Sequence, residues 1–139
     1  QANEFDPLVM PRLAAGTIVP ATWYLQAQRL RRWFFEQAMQ LFAHHDILIA
    51  PATPCCAQPL GQEEMVIQGQ RMPLRPNMGM FTQPISFIGL PVVAVPVHVP
   101  GQLPIAVQLI GAPHQESRLL AVAHWLQQQS VCQAPVVRH

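Results

Sequence analysis

A hydrolase that works through a serine needs a base beside it, and this chain supplies neither part in a usable setting. Its serines are Ser86, Ser117 and Ser130. None lies in a glycine-rich turn that would present a nucleophile and its oxyanion donors. All 8 basic residues are arginines, and the sequence contains no lysine. Cys55 and Cys56, with His44 or His45 upstream, raise a thiol nucleophile or a metal site. Adjacent cysteines rarely converge on one ion, and the order is wrong for spaced ligands. Small buried apolar side chains are the more ordinary role for them. His98 and His114 flank expected strand ends and read as surface residues. No catalytic residue, no metal site and no cofactor is assigned within the 139 residues.

Arg31 is the charged residue with the most unusual placement. From Trp23 to about Ala43 there is no glycine or proline, and apolar residues fall at 23, 27, 30, 34, 38, 41 and 42. That spacing predicts a helix. At about 100° per residue, with Trp23 at zero, the apolar stripe spans about −20° to +100°. Arg29, Arg32 and Glu36 fall opposite it as a solvated face, the last two at i,i+4 spacing. Arg31 falls near 80° and Tyr24 near 100°, roughly on one edge of the stripe. An arginine directed inward needs an anionic or carbonyl partner. A structural ion pair, a snorkelling side chain and a substrate carboxylate all satisfy that need.

The elements that position these residues follow from breakers and apolar runs. Residues 1–19 read as an irregular lead-in, broken by Pro7, Pro11 and Gly16, and Thr22 is a candidate helix cap. Ile47–Ala50 is a short strand stopped by Pro51, and residues 51–64 form a loop. Met65–Leu74 reads as a hairpin around Gln68-Gly69-Gln70. Asn77 to about Phe81 reads as a short helix. Val92–Val97 and Ile105–Ile110 are continuous apolar runs, expected as strands buried on both faces. Glu116–Gln129 is the last helix, with Leu119, Val122, Ala123 and Leu126 on one face. The tail from Ser130 reads as loose. Together these predict an α/β fold, a mixed sheet covered by helices on both faces. Three or four strands are too few to complete such a sheet.

Composition points the same way. The chain is 50% hydrophobic and only 11% charged, against roughly 25% charged in an ordinary soluble domain. Such a surface is expected to lie against more protein. A net charge of +1 gives no electrostatic case for nucleic acid or an anionic membrane. No run of about 18 apolar residues signals a membrane span. The first ten residues lack the features of a signal peptide, and three cysteines make no disulfide framework. A cytoplasmic location is the expectation.

Several pieces in order resemble the amidase signature family. They are Asp46-Ile47-Leu48-Ile49-Ala50-Pro51-Ala52-Thr53-Pro54, Phe87-Ile88-Gly89-Leu90-Pro91, Leu103-Pro104-Ile105-Ala106-Val107-Gln108-Leu109-Ile110-Gly111, and Glu116 with Leu119 and Leu120. The stretch from Trp23 to Arg31 is similar to a family helix whose arginine holds a substrate carboxylate, which implies that role for Arg31, with Tyr24 in the same pattern. The stretch from Thr82 to Val97, with the first helix and Ala50-Pro51-Ala52-Thr53-Pro54-Cys55, is most similar to the carboxybiuret hydrolase branch, known from s-triazine breakdown.

The resemblance carries expectations. The family hydrolyses amide bonds with a Ser–Ser–Lys triad from a glycine- and serine-rich N-terminal region, so the chain reads as a C-terminal segment of one amidase-signature domain. Thr82 and Gln83 stand where the family chain passes the active-site cleft. Gln83 is positioned to bond a ureido carbonyl, with helix capping or satisfaction of the core as the alternative. Family members that serve as glutamyl-tRNA amidotransferases have an aspartate for the substrate amino group where this chain has Gly79. A carboxylated substrate without an ammonium group is therefore expected. Ser86, His98 and Ala106 depart from the family pattern. The expected partners are the N-terminal catalytic portion of the same enzyme, a small-molecule substrate, and a homo-oligomer or small accessory subunit. The segment alone is expected to be inactive, with a non-catalytic binding module as the rival reading.

Overall fold

The computed structural model describes residues 5–7, 9–97 and 101–133. The chain divides into two compact units, Gln1–Glu36 and Gln37–His139. His98 and the end of the tail lie outside the described residues.

The first unit is helical. Helix α1, Met10–Thr17, occupies what reads in sequence as an irregular lead-in. Pro11 sits in its first turn, where the missing N–H costs nothing and the fixed φ suits a helix. Helix α2, Ala21–Phe42, starts two residues before the expected Trp23, and its residues from Gln37 on belong to the second unit. The Pro20 carbonyl accepts from the N–H groups of Trp23 and Tyr24, so Thr22 lies inside the first turn and is not the cap. The Arg32–Glu36 pair expected from i,i+4 spacing is present. The apolar stripe is present but uncovered over its first half. Trp23, Tyr24 and Leu30 on it are exposed, as are Leu25 and Trp33 outside it, and Ala38 is the one buried residue described in α2. Helix α1 buries none of its own residues.

The second unit is built on a three-stranded antiparallel sheet of order β1-β5-β4. Its strands are β1 (Ile47–Pro51), β4 (Val92–Val97) and β5 (Ile105–Gly111). Ile49 and Val93 both pair with Leu109, and Pro51 and Val95 both pair with Val107. Helix α5, Glu116–Gln128, packs on the face carrying those side chains. Val95, Leu109, Leu119 and Cys132 form its buried cluster, with Ile47, Val93, Val107, Val122, Ala123 and Leu126 packed around them. These include all four apolar residues expected on one face of the last helix. A fully buried leucine contributes about 1.5–3 kcal/mol, and Leu109 and Leu119 are 0% and 1% exposed. A Cβ on Gly111 would lie 3.1–3.2 Å from Leu119 side-chain carbons, so glycine lets α5 close onto the end of β5.

The expectation of strands buried on both faces holds for β5 and fails for β4. β5 is central, and Gln108, Leu109, Ile110 and Gly111 are all buried. β4 is an edge strand with one face covered, so Val92 and Ala94 are exposed while Val95 is buried. The three strands pair antiparallel throughout, where a mixed sheet was expected. The rest of the unit is a hairpin, β2 (Glu64–Ile67) with β3 (Gln70–Pro73), and two short helices, α3 (Leu74–Asn77) and α4 (Gln83–Ile88). The expected helix over 77–81 is a run of tight turns between them. Met80 N–H donates to the Asn77 carbonyl, and Thr82 and Gln83 N–H both donate to the Gly79 carbonyl.

Candidate functional site

Gln108 organises the turn that carries Thr82 and Gln83. It lies on the β5 face turned away from α5 and is the one buried polar residue described, at 2% exposure. Its Nε2 donates to the Pro51 carbonyl at 2.8 Å and to the Phe81 carbonyl at 3.1 Å. One side-chain amide thus ties the end of β1 to the apex of the 79–83 turn across the central strand. The buried amide satisfies both of its donors in this way, as a buried polar group must. In the sequence, Gln108 stands only as part of a strand motif. A single amide inside the run Pro104–Ile110 was the available signal, because a polar group in a doubly covered strand must find partners.

The turn presents two of the sequence candidates side by side. Thr82 is half-buried, and its hydroxyl donates to the Gly79 carbonyl at 3.3 Å. Thr82 is the N-cap residue of α4 but makes no side-chain cap bond. Gln83 is exposed at the first helical position, with its side chain lying over Gly79. Upstream, the Thr53 hydroxyl donates to the Cys55 carbonyl at 2.9 Å and shapes the loop leaving β1.

Cys55 sits among thioethers. Its Sγ lies 3.8 Å from Met65 Sδ and 3.9 Å from Met78 Sδ, a packing role for polarisable side chains. Cys55, Cys56 and Cys132 are free thiols. Among the described residues no group of three His, Cys, Asp or Glu side chains is placed to hold a metal ion. His44, His45 and His114 are exposed, as are Ser86, Ser117 and Ser130.

Arg31 and Tyr24 belong to the first unit, Thr82 and Gln83 to the second. Seven residues on one helix separate Tyr24 and Arg31 by about 10 Å along its axis. Tyr24 is 61% exposed, and Arg31 is exposed too. The wheel placed Arg31 facing a buried side, and in this chain that side is open. A groove of about 430 Å³ on α2 is lined by Leu25, Gln28, Arg29, Arg32, Trp33 and Glu36, and Arg31 is not part of it.

Residues 1–120 match the Amidase family model, and the chain belongs to that family. Among curated proteins it is 46% identical over 132 residues to AtzE of Pseudomonas sp. (strain ADP), named as a 1-carboxybiuret hydrolase subunit, covering 93% of this chain and 29% of that protein. It is 34% identical over 136 residues to a glutamyl-tRNA(Gln) amidotransferase subunit of Legionella pneumophila (strain Corby), covering 94% and 27%. One similar solved structure is an inhibitor-bound vestigial protein complex bearing on the evolutionary origins of an s-triazine catabolic enzyme. It superposes with a TM-score of 0.90 at 43% identity, over 98% of this chain and 30% of that one. A crystal structure of an amidase gives 0.84 at 28% identity, over 91% and 29%. The α/β fold is that of the amidase signature enzymes. The chain spans less than a third of the length of the relatives it matches.

Proposed function

We propose that this chain is part of an amidohydrolase that cleaves a C–N bond in a small carboxylated ureido or amide compound. Its relatives are amide-bond hydrolases and amidotransferase subunits. The observation that carries the finer reading is the 46% identity, along 93% of the chain, to a protein named as a 1-carboxybiuret hydrolase subunit. In such an enzyme an activated serine attacks the carbonyl carbon and backbone N–H groups hold the oxyanion. The nitrogen leaves protonated, and water releases the acyl group from the serine. The lysine base of that family triad has no counterpart here, because the sequence has no lysine. The triad is therefore assigned outside these 139 residues, in an N-terminal catalytic portion of the same enzyme.

Within the chain, Arg31 is assigned to a substrate carboxylate, with Tyr24 on the same edge of α2. Gln83 is assigned to a ureido group, with Thr82 shaping the turn that bears it. The exposed apolar and aromatic side chains of α2 and the open edges of β1 and β4 fit a segment that lies against more protein of the same enzyme.

The test is ammonia release from N-carbamoylglycine, which carries a carboxylate and a ureido group, by the product of the gene that encodes this chain. Turnover of N-carbamoylglycine, with none of glutamine, is expected. No turnover of either would overturn the reading. The exposed α2 stripe also fits a non-catalytic module that binds a partner. Intact mass and peptide sequencing of the purified gene product separate the two: a larger species whose additional sequence contains a lysine supports the enzyme, and a 139-residue species alone supports the module.

A further inference from the structure

Gly79 and Gln83 are one helical turn apart, joined by the Gln83 N–H to Gly79 carbonyl bond at 2.8 Å. Side chains in such a turn lean back toward its N-terminal end. Gln83 does so, and it lies in the space a side chain at position 79 would fill. A Cβ built on Gly79 would stand 2.8 Å from Gln83 Nε2, 3.0 Å from its Cγ and 3.1 Å from its Cδ. Real Cβ atoms do not approach so closely, so any other residue at 79 moves the Gln83 carboxamide. The turn itself is held independently, by Gln108 at the Phe81 carbonyl.

We propose that Gly79 and Gln83 work as a pair that selects a neutral ureido group. Gly79 is the positioning residue: by lacking a side chain it sets where the Gln83 amide rests. Gln83 is the contact residue. Its carboxamide offers one acceptor and two donors, which matches the carbonyl and N–H groups of a urea and provides no counter-charge for an ammonium group. This inference rests on the reading of the site given above.

The geometry supplies its own control. The atoms in the way are the far end of a flexible side chain, and Gly79 does not need a positive φ. Gly79→Ala is therefore expected to fold normally while displacing the amide. In the gene product, Gly79→Ala should raise KM for N-carbamoylglycine about 3- to 10-fold, the weight of one neutral hydrogen bond, with kcat nearly unchanged. Gln83→Ala should do the same. The double variant should be no worse than Gln83→Ala alone, since Gly79 acts only through Gln83. Gln83→Glu keeps the side-chain shape and leaves position 79 alone, so it tests the contact even if Gly79→Ala folds poorly. It should raise KM further by adding an anion opposite a carboxylated substrate. Wild-type KM in Gly79→Ala, or effects of the two substitutions that multiply independently, would overturn the pair while the ureido activity stands. Absence of ammonia release by the wild type would overturn the functional reading and the pair with it.

Discussion

A carboxylate is best held by a planar fork of donors, and among the basic side chains only arginine offers one. Arg31→Lys keeps the charge and loses the fork. KM for N-carbamoylglycine should rise about 10-fold or more, the scale of a lost charge-assisted hydrogen bond, with kcat little changed. Steady-state kinetics of the gene product read this directly, and an unchanged KM would remove Arg31 from the site. The helical periodicity that puts Arg31 on the edge of the α2 stripe was legible in the sequence; that this side of the helix is exposed within the chain was not. That Gln83 fills the space over Gly79 was not, because it depends on a turn where the sequence pattern suggested a helix.

Between elements, two packed contacts hold the second unit together, and each has a measurable cost. Leu119 fills the seam between α5 and the sheet at 1% exposure. Leu119→Ala should destabilise by about 2–5 kcal/mol, read by denaturant unfolding, and a loss well below 1 kcal/mol would contradict the packing described. Gln108→Met keeps the volume and removes the donor of both hydrogen bonds, to the Pro51 and Phe81 carbonyls. A loss of about 1–3 kcal/mol is expected, together with faster amide hydrogen exchange in the 78–83 turn. Unchanged exchange there would mean that Gln108 does not anchor the turn. Strands β1, β4 and β5 and helix α5 could be read from apolar runs and periodicity, because their residues meet partners within the unit. Helix α1 could not, because Pro11 reads as a breaker although it is a first-turn residue. The exposure of β4 was hidden as well, because its apolar run does not reveal that it lies at an edge.

Taken whole, the chain has more apolar surface than its own elements cover. Trp23 and Trp33 are 69% and 56% exposed on α2, and Ile49 is 69% exposed on edge strand β1. Low charge content made that surplus legible from composition alone. Among the described residues no helix is long and apolar enough to cross a membrane, and the relatives are more than three times as long as their matched segment. A surface of this kind is expected where one enzyme's segments pack against each other. On the proposed function, a chain without a lysine depends on the rest of the gene product for its catalytic base. Ammonia release from N-carbamoylglycine, measured side by side for the isolated 139-residue chain and for the full gene product, tests this most directly. The full product should release ammonia and the isolated chain none. Release by the isolated chain would contradict the account.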